Sequence, residues 1–68
     1  MDIRQFNALA DLARLQPGSK SRVGAELAMV SGLTQAQAAQ QAGCTQPAVS
    51  TAVRRVRNVH RLAMKATE

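Results

Sequence analysis

The 68-residue sequence predicts an all-α fold: one small domain of four to five helices spanning residues 1–68. Three observations carry this reading. Apolar residues recur at spacings of three and four, as on one face of a helix, and no stretch reads as a strand. Turn residues punctuate the chain at "QPGSK", "SGLT" and "GCT". Of the 46% hydrophobic residues many are alanine and only one, Phe6, is aromatic, which suits short helices whose backbones approach closely.

The first helix is expected over Ile3 to Leu15, with Asp2 as N-cap and Ile3, Phe6, Leu9, Ala10 and Ala13 on one face. Pro17 and Gly18 break it, and Ser19 or Ser21 can cap the next segment. The second helix covers about Lys20 to Val30, with Val23, Leu27 and Val30 as its apolar stripe. Gly32 then stops the chain and Thr34 caps a short third helix, Gln35 to Ala42, which Gly43 closes. Thr45 caps the fourth. Pro47 lies in its first turn, where a missing N–H costs little, and nothing interrupts the helix until about Met64.

Charge is distributed unevenly. The net charge is +5, but residues 1–43 hold four Lys/Arg against three Asp/Glu, whereas residues 44–67 hold five basic residues and no acid. This asymmetry points to a polyanion meeting the C-terminal third. The single Cys44 leaves no intramolecular disulfide and no cysteine-based zinc cage, which fits a reducing compartment. No secretory signal and no membrane-length apolar run is visible, so a cytoplasmic protein is expected.

The segment from about 34 to 57 combines two helices joined by a short glycine-containing turn, the helix-turn-helix arrangement. Steeply crossing helices need a small residue at the contact, which Ala38 and Ala39 supply. Gly43 can take the left-handed conformation that redirects the chain. On the fourth helix, Val49, Ala52, Val53 and Val56 form an apolar stripe. Opposite lie Pro47, Ser50, Thr51, Arg54, Asn58 and Arg61, flanked by Arg55 and Arg57.

Such a helix suits the DNA major groove, with its early residues at base edges. The base-reading candidates are Thr45, Gln46, Ser50, Thr51, Arg54 and Arg55. The phosphate candidates are Arg57, Arg61 and Lys65 further along, with Lys20 and Arg22 at the start of the second helix and Gln35 at the start of the third.

"GCTQPAVSTAVRRV" resembles the recognition segment of the TrfB/KorA family of plasmid-encoded transcriptional repressors, on Gly43, Thr45, Ala48, Val49, Ser50, Ala52, Val53, Arg55 and Val56. A weaker likeness extends upstream through Gln5, Phe6, Leu27 and Val30. The resemblance implies a repressor on palindromic promoter operators of plasmid maintenance or transfer genes. Thr45, Gln46, Thr51 and Arg55 would then hold operator-contacting positions. Gln46 and Thr51 replace an arginine and a glutamine of the family, which implies a different operator. Members also carry a C-terminal dimerisation domain, which these 68 residues do not include.

A homodimer on double-stranded DNA is therefore expected. Val59, Leu62, Ala63 and Met64, more than a four-helix core can cover, are one candidate surface for it. Cys44 is expected to fill the turn, and His60 to be partly buried or at an interface. No catalytic constellation, metal cluster or glycine-rich phosphate loop appears, so no enzyme and no cofactor is expected. The alternative is the helix-turn-helix portion of a recombinase or transposase. Single-strand RNA binding and a membrane-surface helix are disfavoured, the first by the absence of Tyr and Trp, the second by the lack of aromatic anchors near residues 53–65.

Overall fold

The computed structural model describes residues 1–67. It contains four helices and, among the described residues, no strand: α1 (Ile3–Leu12), α2 (Lys20–Met29), α3 (Gln35–Ala42) and α4 (Gln46–Ala66). Each begins where the sequence supplies a side-chain acceptor for an otherwise unpaired backbone N–H. Asp2, Ser19, Thr34 and Thr45 accept from the amides of Gln5, Arg22, Gln37 and Ala48. Of the two serines that could cap α2, Ser19 is the cap and Ser21 lies inside the helix. Thr34 and Gln37 form a reciprocal capping box, with both bonds at 3.1 Å.

The end of α1 departs from expectation. The helix stops at Leu12 rather than Leu15. Arg14 adopts φ 61°, its amide donates to the Asp11 carbonyl, and the Leu15 amide donates back to Ala10 at 2.9 Å. This is the hydrogen-bond pattern of a Schellman motif, with arginine where glycine is usual. The reversal returns Leu15 to the core, where it is buried. Because a non-glycine residue is uncommon in the left-handed region, the sequence carries no signal for this stop.

α2 and α4 pack on each other and on both remaining helices, whereas α1 and α3 do not meet. The core at the centre of this arrangement is built from Phe6, Leu9 and Ala10 of α1, Ala25 of α2, Ala38 and Ala39 of α3, and Val49, Ala52, Val53 and Val56 of α4, with Leu15. On α1, Ile3 is not part of it and stands 42% exposed.

The buried face of α2 is also not the predicted one. Val23 is 39% exposed and Leu27 and Val30 are half-buried, while Gly24, Ala25 and Arg22 turn inward. The reason is the closeness of α2 to the start of α4. A Cβ on Gly24 would lie 2.6 Å from Val49 Cγ2 and 3.6 Å from both Ala42 Cβ and Cys44 Sγ. Only a residue with no side chain fits there, so α2 presents its smallest residues to the junction and moves its larger apolar ones to the periphery.

α4 runs past the core. Val59 and His60 are half-buried, with His60 Nε2 3.3 Å from Gln5 Nε2, and Leu62 and Met64 are exposed. Among the described residues no helix is long and apolar enough to cross a membrane.

Replacing Gly24 by alanine raises helix propensity by up to about 1 kcal/mol but forces a methyl against the fully buried Val49, and overpacking of this kind costs about 1–3 kcal/mol. The expected result for Gly24→Ala is a net destabilisation of about 1–2 kcal/mol in denaturant unfolding. The double variant Gly24→Ala/Val49→Ala should lose less than the sum of the two single losses, since Val49→Ala removes the clashing methyl.

Candidate nucleic-acid interface

The turn between α3 and α4 sets the position of the polar face. Ala38 and Ala39 are buried. Gly43 takes φ 75°, and the amides of Gly43 and Cys44 both donate to the Ala39 carbonyl, at 2.9 and 3.0 Å. A Cβ at Gly43 would meet no other atom, so glycine is used here for its backbone conformation and not for space. Cys44 is half-buried against the core, and its Sγ lies 3.7 Å from the Lys20 carbonyl. The thiol therefore fills the corner where α2 begins and α3 ends.

From Thr45 the chain enters α4 with its apolar stripe inward, which fixes what faces out. Thr45, Gln46, Thr51, Arg54 and Arg55 are exposed; Ser50 is half-buried. The Thr45 oxygen accepts from the Ala48 amide at 3.3 Å, leaving its hydroxyl proton free to donate elsewhere. Gln46, Pro47 and Ser50 share an open groove with Gln35, so the starts of α3 and α4 contribute to one surface. A second groove is lined by Thr51 and Arg55 of α4, Ser21 of α2 and Leu15. Ser21 had no place among the sequence-based candidates; only the approach of α2 to α4 brings it beside Arg55.

Arg57, Arg61 and Lys65 are exposed along the rest of α4, and Lys20 is exposed at the start of α2. Arg54, Arg57, Asn58 and Arg61 line a third groove, of about 220 Å³. Asn58 lies on the face the sequence identified as polar, but its place among three guanidinium groups was not anticipated. Like-charge neighbours occur at Arg54/Arg57, Arg57/Arg61 and Arg61/Lys65, three or four residues apart. Each such pair opposes the helix by roughly 0.2–0.5 kcal/mol. No described acidic residue pairs with any of them, because the one ion pair among the described residues lies elsewhere. This surface is unfavourable alone and becomes favourable beside a polyanion.

That ion pair removes one residue from the predicted set. Arg22, expected to meet phosphate, is buried. Its Nη1 donates to Asp11 Oδ1 at 2.7 Å and to the Leu15 carbonyl at 2.8 Å, and its Nη2 to Asn7 Oδ1 at 3.4 Å. The guanidinium ties α2 to the far end of α1 and satisfies the carbonyl that the early stop of α1 leaves behind. A basic residue beside a helix start reads from sequence as a surface cation; the unpredicted turn at Arg14 creates the partners that turn it inward.

No group of three or more His, Cys, Asp or Glu side chains suited to a metal ion occurs among the described residues. Compared with protein-family models, curated proteins and solved structures, the chain finds no match in any of the three.

Arg22→Ala should destabilise the fold by about 2–3 kcal/mol, because it leaves the buried Leu15 carbonyl unpaired and removes the arginine stem from the packing. Asp11→Asn should cost less than about 1 kcal/mol, since that carboxylate is largely exposed and its attraction is screened. Urea unfolding of the two variants measures both, and equal losses would place the strut's strength in the ion pair and not in the carbonyl bond.

Proposed function

We propose that this chain is a sequence-specific, double-stranded-DNA-binding transcriptional repressor in which α3, the Gly43 turn and α4 act as a helix-turn-helix. The observation that carries the reading is the outward face of α4: a helix with one fully buried stripe whose other side holds Thr45, Gln46, Thr51, Arg54 and Arg55 near its start, four further basic or amide residues beyond, and no acid. A polyanion with readable base edges matches both halves of that face.

In this reading α4 enters the major groove by its N-terminal end, and Thr45, Gln46, Ser50, Thr51 and Arg55 meet base edges. α3 braces against the backbone through Gln35, and Lys20 supplies a flanking phosphate contact. Arg57, Arg61 and Lys65 meet phosphates where α4 leaves the groove. The likeness of residues 43–56 to the TrfB/KorA repressors supports a plasmid-borne regulator that occludes a promoter of maintenance or transfer genes. Such a protein acts in the cytoplasm, on plasmid or nucleoid DNA, as a homodimer on a palindromic operator. No catalysis and no cofactor belong to this function.

Selection of bound duplexes from a random-sequence library by the full chain tests it. The expected product is a two-fold symmetric site that survives competition with random duplex. On that site Arg55→Ala should cost about 1–3 kcal/mol and relax preference at one base position in each half. Recovery of unrelated sequences with no common site, bound only at low salt, would contradict the repressor reading.

A further inference from the structure

The adjacent arginines Arg54 and Arg55 belong to different surfaces. Arg55 shares its groove with Thr51 and Ser21, whereas Arg54 shares one with Arg57, Asn58 and Arg61. One hundred degrees of helical rotation separates neighbouring residues, which is enough to send the two side chains to opposite flanks of α4.

We propose that Arg54, Arg57, Asn58 and Arg61 together form a seat for a phosphate group, and that Arg54 belongs to this seat and not to the base-reading set. Three features of the cluster support the assignment. All four side chains can present donors to one groove: three guanidinium forks, each able to hold two phosphate oxygens, and one amide. The Asn58 Oδ1 accepts from Arg61 Nη2, which turns the acceptor end of the amide toward the helix's own arginine and leaves its Nδ2 to donate to an anion. The groove opens to solvent and is lined by residues of α4 alone, so an anion can reach all four donors without displacing a neighbouring helix.

That the phosphate belongs to duplex DNA rests on the function proposed above; the seat itself rests on the cluster.

The test uses the full chain, labelled with nitrogen-15, and two ligands. The first is tripolyphosphate, followed by the side-chain N–H resonances. The expected result is that Arg54, Arg57 and Arg61 Nε–H and the Asn58 amide shift on one common isotherm while Arg4 and Arg14 do not. Arg57→Gln should weaken that isotherm by about tenfold, equivalent to ~1.4 kcal/mol. Equal shifts at all arginines, or none, would overturn the seat. The second ligand is duplex DNA, random and selected. Arg54→Gln should weaken both alike and lower the salt slope by about one unit with base preference intact. A relaxed preference with an unchanged slope would return Arg54 to the bases and overturn its assignment here. A common isotherm with tripolyphosphate but no binding to any duplex would support the seat and reject the DNA reading. Specific duplex binding without that isotherm would do the reverse.

Discussion

The rest of the structure depends on how closely α2 can approach the start of α4. At Gly24 the two backbones come near enough that a single methyl would press into Val49 at 2.6 Å. That approach buries Val49, seats Cys44 beneath the α2 start and holds the α3–α4 turn in its place. It also fixes the rotation of α4, because Val49, Ala52, Val53 and Val56 can all be buried in only one orientation. The basic face is then the remainder of the helix. Arg22 holds the other side of the same helix, anchoring α2 to the end of α1, so the orientation of the candidate interface is set by one residue without a side chain and one with a long buried side chain.

Much of this was legible from residue types. The capping positions Asp2, Thr34 and Thr45 were readable because a short oxygen-bearing side chain before an apolar-periodic run has few other uses at that spacing. The α4 stripe was readable because it is dominated by valine and clear of charge. Gly43 was readable because a helix end needed a left-handed residue there. What escaped was governed by partners distant in sequence. Gly24 lies inside a helix and gives no local sign that a valine 25 positions later requires it. Arg14 takes a conformation that glycine usually fills, so the end of α1 was placed three residues late. Arg22 followed from that error, since its carbonyl partner exists only once α1 has turned at Arg14.

The candidate interface divides in the same way. Which residues of α4 face outward follows from the stripe alone, and Thr45, Gln46, Thr51, Arg54, Arg55, Arg57, Arg61 and Lys65 are all exposed as expected. How they group does not follow from the stripe. Side chains as long as arginine associate according to the grooves open to them, and those grooves depend on neighbouring helices: Ser21 and Leu15 shape the one beside Arg55, whereas none is near Arg54. The like-charged row from Arg54 to Lys65 is a standing cost to helix stability, and the fold offers no described acid to offset it. The DNA partner proposed above would offset that cost.

We propose that the outward face of α4, oriented by the α2–α4 junction, meets duplex DNA. Backbone amide shift mapping of the labelled chain on addition of a short duplex tests it most directly. The account predicts shifts concentrated at Thr34 to Gln37 and from Thr45 to Arg61, with Lys20 and Ser21 also affected and Arg4 to Leu12 unmoved. Shifts centred on α1, or spread evenly over all four helices, would contradict it.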